Sequence, residues 1–413
     1  MKTIPLALAA FTCLIPVAGF AQRADLPPEV QVIAILDNHP TVSAAGARIG
    51  AAKAQDDMLR RGLHEVTVTG SYIRRTVDRE GGYHEFDTTI GRAFRLPGKA
   101  ALDRKAGALG IEVAENRAED VRHQAALTLS GLWYDWLTAA TLHRNDMETV
   151  ALLETSVQAV RRRRQLRDAA DLDIDQANAA LAQARGQAAG SLANREQARA
   201  MLAATFPDLP LPVEPPALGA PELPTQSLAT MRALVVERSH EIRAADREAQ
   251  RLGVMSQRVR ADRIADPTFG VRLFSERSGM ERGAGLVASI PLGGGYRRAA
   301  AEQAGAEANA ARFDLSNVQR MVEATADADL SNARTRMDVW RGMAEAADSA
   351  LAAAARTQRG QILGAVDLSD LLYARRQAHD AQRAEIEARG EAVRALTKLQ
   401  IDSHSIWVTP GDS

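Results

Sequence analysis

Residues 290–299 read IPLGGGYRRA and mark the boundary between two kinds of sequence. Before Pro291, apolar residues alternate with smaller ones, a pattern typical of a β-strand. After the three glycines no proline occurs until Pro410, and good helix formers such as Ala, Arg, Gln, Glu and Leu dominate. The stretch therefore predicts a turn that joins a strand to a very long helix.

The same boundary occurs earlier in the chain, at Arg95-Leu96-Pro97-Gly98-Lys99, and residues 98–206 also contain no proline. Each proline-free segment predicts a helical hairpin. Its first arm, about residues 99–163 or 297–359, would be roughly 90 Å long at about 1.5 Å per residue. Helices of this length are stable in water only when they pack against others along their length, as in an antiparallel coiled coil.

Other landmarks recur in the same order, which predicts a tandem repeat. Asn38-His39-Pro40 and Ser239-His240-Glu241 open two Ala-rich helices, and Asp173-Ile174-Asp175 returns as Asp370-Leu371-Leu372. The first repeat spans residues 22–206, with a β-hairpin at about 63–96 and a helical hairpin at 98–206. A Pro-rich extended linker covers 207–227. The second repeat spans 228–402, with a β-hairpin at about 267–291 and a helical hairpin at 293–400, and a tail covers 403–413.

Period-two alternation predicts four strands, each with one apolar and one polar face. The predicted apolar faces carry Val66, Val68 and Tyr72; Phe86, Ile90 and Phe94; Phe269, Val271 and Leu273; and Ala284, Leu286, Ala288 and Ile290. Strands of this kind suit a membrane barrel with lipid outside and water inside, but four cannot close one, since about eight are needed. Three copies would supply twelve. The alternative is that the hairpins are edge strands of a soluble domain.

Residues 1–21 are predicted to be a cleaved signal peptide, with Lys2, an apolar run over 4–17 and Gly19-Phe20-Ala21 before the cleavage point. A membrane anchor is disfavoured because the run is shorter than the roughly 20 residues of a spanning helix. A lipoprotein signal is disfavoured because Cys13 lies too early and follows Thr12. Since Cys13 is the only cysteine, the exported protein would contain none.

Composition and motif spacing argue against an enzyme and against a nucleic-acid partner. The 413 residues contain 51 Lys plus Arg, 52 Asp plus Glu and only 4% aromatics, so the chain is not basic. The eight histidines form no closely spaced metal-ligand cluster in the sequence, and Gly293-Gly294-Gly295 lacks the Lys-Ser/Thr of a phosphate loop. No cofactor and no metal site are expected.

The turn at 290–299 and the segment at 364–374, GAVDLSDLLYA, resemble the TolC family of outer-membrane efflux proteins. Leu96-Pro97-Gly98-Lys99 is more similar to the branch that serves heavy-metal exporters. The resemblance implies a mainly helical homotrimer in the outer membrane, in which four strands per protomer form a 12-stranded barrel continued by a periplasmic helical tunnel. It also implies a passive exit duct, surrounded by lipid, that docks through an adaptor onto an inner-membrane pump. The alternative is a soluble periplasmic coiled-coil scaffold or adaptor.

The resemblance further implies a periplasmic constriction ringed by acidic residues just after the second hairpin turn. The matching first position is Asp370, and the next family position is Tyr373 in this chain. Asp367 lies on nearly the same helical face and could supply a second ring. The alternative for both aspartates is helix capping, which we favour for Asp367 and disfavour for Asp370.

Other candidate residues lie at the tips and at the turns between strand and helix. Gly364 is predicted to need a positive φ. Asp173 and the basic run Arg161, Arg162, Arg163 and Arg164 are either adaptor contacts or an ordinary solvated helix end, and the pattern favours the latter. The barrel-to-helix turns are assigned to Pro97, Gly98, Pro291, Gly293 and Gly294.

Overall fold

The computed structural model describes residues 25–408. The predicted signal peptide, Cys13 and residues 409–413 lie outside the described residues. The first half contains α1 (Glu29–Asn38), α2 (Pro40–Arg61), β1 (Val66–Val77), β2 (Gly81–Ala93), α3 (Lys99–Gln165) and α4 (Asp171–Thr205). The second half contains α5 (Leu228–Arg238), α6 (His240–Ala261), β3 (Thr268–Glu276), β4 (Glu281–Ser289), α7 (Gly295–Ile362) and α8 (Leu368–Asp402). This chain is mainly helical with one four-stranded sheet, which confirms the predicted mainly helical fold with a small β part.

The two long helices dominate the shape of each half. α3 has 67 residues and α7 has 68, so each is about 100 Å long, a few residues more than the predicted arms. The shorter helices start at repeated capping sites. The hydroxyl of Ser239 accepts a hydrogen bond from the N–H of Ile242 at 3.2 Å, and His39 precedes α2, which has Pro40 in its first turn.

The four strands form one antiparallel sheet in the order β1-β2-β3-β4. Its register aligns apolar residues across all four strands, in the row Val68, Ile90, Val271 and Leu286. The adjacent row contains Thr69, Thr89, Arg272 and Gly285. We call the side of the first row the apolar face and the side of the second the polar face. The apolar face is open to solvent in the protomer, with Leu286 91% exposed.

The edges of the sheet lack partners as well. β1 and β4 each pair with one strand only, so within residues 25–408 their outer backbone groups have no ladder to join. The hairpins differ in length, since β1 and β2 have 12 and 13 residues whereas β3 and β4 have 9 each.

The largest hydrophobic core within residues 25–408 lies near the middle of α3, and we call it the middle core. Trp133 and Trp136 of α3 pack there at a ring-centroid distance of 5.3 Å. The Pro-rich linker contributes Leu209 and Leu218 to the same core, directly after Phe206 at the end of α4. α1 contributes Val32 and Leu36, and the segment after α8 contributes Trp407 and Val408. A segment predicted as a plain extended connection therefore also buries apolar side chains, which fixes its path across the helices.

Candidate functional site

The α3–α4 connection forms the first tip of the helical hairpins and contains a Schellman turn. α3 ends with Leu166 as its C-cap, and Arg167 then adopts a positive φ of 62°. The N–H of Asp168 donates to the carbonyl oxygen of Arg163 at 2.8 Å. The turn reverses the chain, so that α4 packs back along α3.

The α7–α8 connection, the second tip, has the same turn. Leu363 is the C-cap, Gly364 has a φ of 75°, and the N–H of Ala365 donates to the carbonyl oxygen of Gly360 at 2.9 Å. Gly364 therefore has the positive φ predicted from the sequence. Both tips present an exposed leucine at the same position, since Leu166 is 79% exposed and Leu363 is 82% exposed.

Half of the predicted basic run pairs with acidic residues of its own tip. Nε of Arg163 lies 2.8 Å from the carboxylate of Asp168, and Arg164 donates two hydrogen bonds to Asp171 at 2.6 and 3.1 Å. The hydrogen bond from Arg164 lowers the pKa of Asp171 and raises the pKa of Arg164 itself. These two arginines therefore hold the turn and are not free for a partner.

The other half of the basic run is more available. Arg161 forms one long hydrogen bond of 3.4 Å to Asn178, and the exposed side chain of Arg162 has no hydrogen-bond or ion-pair partner among the described residues. Asp173 accepts a hydrogen bond from the N–H of Ala170 at 2.9 Å. Asp173 therefore stabilises the start of α4, as a carboxylate does at an ordinary solvated helix end.

The candidate constriction residues lie on the first turns of α8. Asp367 occupies the N-cap position, but its carboxylate forms no capping hydrogen bond, so any stabilisation of the helix by its charge is purely electrostatic. Asp370 is the third residue of α8, is exposed, and has no side-chain partner among residues 25–408. Tyr373 is exposed one turn further on, with the guanidinium of Arg376 5.6 Å from its ring centroid. An exposed carboxylate and an exposed aromatic ring thus lie about one helical turn apart at the start of α8.

A buried polar cluster ties α8 to α3 above the tips. The carboxylate of Asp146 is 1% exposed, and one guanidinium nitrogen of Arg383 lies 2.6 and 2.7 Å from its two oxygens. Nε2 of His379 lies 2.8 Å from the same carboxylate. Burial raises the pKa of Asp146, but hydrogen bonds from Arg383, Ser191 and His379 outweigh burial and hold it below its usual value. The cluster joins the two helical hairpins of the protomer.

The predicted turns between strand and helix lie where the sequence placed them. Pro97 precedes Gly98, which is the N-cap of α3 and has a φ of 91°. Pro291 precedes Gly293, with a φ of 121°, and Gly294, which is the N-cap of α7. Glycine is favoured at both turns because other residues strain at a positive φ.

Lys99, directly after the first of these turns, is a buried cation whose partners the neighbouring sequence does not indicate. Its side chain is 3% exposed, and Nζ lies 2.9 Å from Asp262 and 2.8 Å from Asp266. The two ion pairs clamp the first residue of α3 to the connection between α6 and β3. The partners are more than 160 residues away in sequence, so no local spacing signal exists.

Three histidines that are distant in sequence come together beside the middle core. The rings of His123 and His404 have centroids 5.5 Å apart, and those of His240 and His404 stack at 5.0 Å. Burial lowers the pKa of His240 to about 4 and that of His404 to about 3. Nevertheless, no group of three or more His, Cys, Asp or Glu within residues 25–408 is arranged to hold a metal ion.

Comparison with known proteins identifies the fold. No protein-family model matches the chain, and no curated protein sequence matches it either. Solved structures do match over almost the whole chain. The outer-membrane channel OprN is 20% identical with a TM-score of 0.78, covering 93% of this chain and 91% of that one. The outer membrane protein VceC of Vibrio cholerae is 14% identical with a TM-score of 0.75, covering 93% and 97%.

The outer-membrane channel MtrE of Neisseria gonorrhoeae, in its open state, is 17% identical with a TM-score of 0.70, covering 91% of this chain and 89% of that one. The chain has a TolC-like fold. This result confirms, at the level of the fold, the resemblance indicated by the turn and tip motifs. In the described part of this TolC-like chain, no helix is long and apolar enough to cross a membrane.

Proposed function

We propose that this chain is the passive exit duct of a tripartite efflux or secretion system in the outer membrane. The observation that carries the proposal is the sheet, whose apolar face is exposed at one end of two helices about 100 Å long. An exposed apolar face suits contact with lipid, and the polar face suits water. The TolC-like fold supports the same role, because the matching structures described above are called outer-membrane channels or an outer membrane protein.

The unpaired edges of the sheet support a homotrimer. An open edge is costly in lipid because its backbone N–H and C=O groups have no hydrogen-bond partners. Pairing β4 of one copy with β1 of the next removes both edges, and three copies of this four-stranded sheet give about twelve strands in a closed barrel. Exposed apolar residues on α7, such as Phe313 and Met321, would face a neighbouring copy in the same arrangement.

Asp370 is proposed as the selectivity and gating residue of the periplasmic end, with Asp367 and Tyr373 beside it. Three copies would place three unpaired carboxylates around one axis, where they would narrow the constriction and attract cations. Asp370→Ala should therefore give higher conductance and weaker cation preference in planar bilayers. Asp175→Ala, at an exposed aspartate on α4, is the matched control. Unchanged conductance and selectivity in Asp370→Ala would remove Asp370 from the gate.

The two tips are proposed as the docking site for the periplasmic adaptor, which in turn connects to the inner-membrane pump. Leu166 and Leu363 are exposed at the same position of two identical turns, with Arg161 and Arg162 nearby on α3. In cells that make the adaptor and pump, Leu363→Glu should abolish export. Purified Leu363→Glu should keep the conductance of the unchanged protein, because the substitution alters docking and not the pore.

The first test of the proposal is reconstitution of the purified mature protein in a planar bilayer. Small, cation-preferring channels from a species with heat-modified gel mobility would support the duct, and export through the predicted signal peptide would be checked by outer-membrane fractionation. A well-folded protein that stays soluble and never inserts would contradict the proposal and favour the periplasmic scaffold.

A further inference from the structure

The apolar face of the sheet ends in two arginines at the hairpin end, away from the helices. Arg74 lies on β1 two residues beyond Tyr72, so both side chains are on the apolar face. Arg282 of β4 pairs with Ser275, and Ser275 pairs with Phe86, which pairs with Tyr72. Arg282 is therefore also on the apolar face, at nearly the same level as Arg74.

These two arginines differ from those on the polar face. Arg75 pairs with Glu85 at 2.6 Å, and Arg272 pairs with Asp87. By contrast, Arg74 and Arg282 are exposed, and their guanidinium groups have no hydrogen-bond or ion-pair partner in the described part of the chain. The unpaired positive charge of the strands is therefore on the side proposed to face lipid.

The order of residues along this face matches a boundary between the membrane interior and its headgroups. Aliphatic residues occupy the middle. Tyr72 follows, with its ring tilted against Phe86 at a centroid distance of 5.2 Å and its hydroxyl 2.6 Å from Nδ1 of His84. Arg282 lies level with Tyr72 and Phe86 in the sheet register, and Arg74 lies two residues beyond Tyr72. Tyrosine concentrates at headgroup level, and guanidinium groups bind phosphate oxygens in pairs of hydrogen bonds.

We propose that Arg74 and Arg282 bind headgroup phosphates of an anionic lipid in the leaflet around the hairpin end of the sheet. The inference rests on the proposed membrane insertion. In the proposed trimer, β4 of one copy lies about 4.8 Å from β1 of the next, so arginines from two copies flank each seam. A lipid with two phosphates would neutralise both.

The test uses detergent-purified, full-length mature trimers and native mass spectrometry with two probes. One probe is lipid A, a glycolipid with two phosphates, and the other is phosphatidylcholine, which has no net charge. The combined variant Arg74→Gln/Arg282→Gln should bind lipid A about tenfold or more weakly, because two charge-assisted contacts are lost. Arg75→Gln is the matched control, since its side chain lies next in sequence but on the polar face. Arg75→Gln should bind lipid A like the unchanged protein.

Two results would overturn the inference. One is equal lipid A binding by the combined variant and the unchanged protein. The other is no preference of the unchanged protein for lipid A over phosphatidylcholine. Channel recording on the same preparations separates this inference from the proposed function. Channels with normal conductance but unaltered lipid A binding in the combined variant would reject the lipid site alone, whereas the absence of channels would reject the duct.

Discussion

Asp146→Asn tests whether the polar cluster between α3 and α8 holds the two helical hairpins together at the proposed periplasmic end. The carboxylate is almost fully buried and forms short hydrogen bonds with Arg383 and His379. Removing one partner of a buried ion pair lowers stability by about 3–5 kcal/mol. The amide oxygen that replaces the carboxylate in the variant can still accept one hydrogen bond, so we expect a loss near the lower limit, about 3 kcal/mol. Since about 1.4 kcal/mol is a tenfold change, the open-to-closed ratio should rise on the order of a hundredfold if opening separates the two hairpins.

The assay combines planar-bilayer conductance with thermal unfolding followed by circular dichroism. Asp146→Asn should lower the free energy of unfolding and raise the fraction of time in a high-conductance state. Arg383→Gln should have the same two effects. The double variant should lose less free energy of unfolding than the sum of the losses in the two single variants, because both substitutions remove the same contact. Asp348→Asn on α7 is the control, since this exposed carboxylate has no side-chain partner among residues 25–408. Equal stability and conductance in Asp146→Asn and Asp348→Asn would refute the reasoning.

Three further predictions concern the stability of the protomer. Gly390→Ala should lower the free energy of unfolding in urea by about 1–3 kcal/mol, because its new Cβ would clash with Oγ1 of Thr138 where α8 packs on α3. The pKa values of His240, about 4, and His404, about 3, lie below the usual value for histidine, so the folded state favours the neutral rings. The contribution of these rings to the free energy of unfolding is complete above about pH 6.5 and is lost as the pH falls towards 3. His404→Asn should flatten the fall in melting temperature across that range. Arg167→Gly should raise stability by about 1 kcal/mol, because glycine adopts the positive φ at the first tip without strain, and an unchanged unfolding midpoint would contradict this.

The parts of the fold that the sequence predicts well are those with local signals. Proline-free segments indicate α3 and α7 because a single interior proline would have broken either helix. Alternation indicates the apolar face of the sheet, and Gly364 indicates the tip because its turn requires a positive φ. In each case, the physical cause lies within a few neighbouring residues.

The polar clusters could not be predicted in the same way. Asp146 and His379 are 233 residues apart, and on helices of this composition a single charged residue is indistinguishable from a solvated one. Only the packing of α8 on α3 buries these side chains together. The histidines at 123, 240 and 404 join for the same reason. Only tertiary packing brings these side chains together, so the spacing of residues along the chain does not predict the clusters.

The packing of Trp407 and Val408 beside Val32 and Leu36 has a consequence for the order of assembly. The chain is made from its N-terminus, so α1 emerges well before its partners, which follow α8. The middle core therefore stays incomplete until residues 403–408 have been made. A nascent chain that lacks residues 403–408 would leave apolar side chains of this core partly uncovered. Synthesis of residues 403–408 is therefore the step that completes this core.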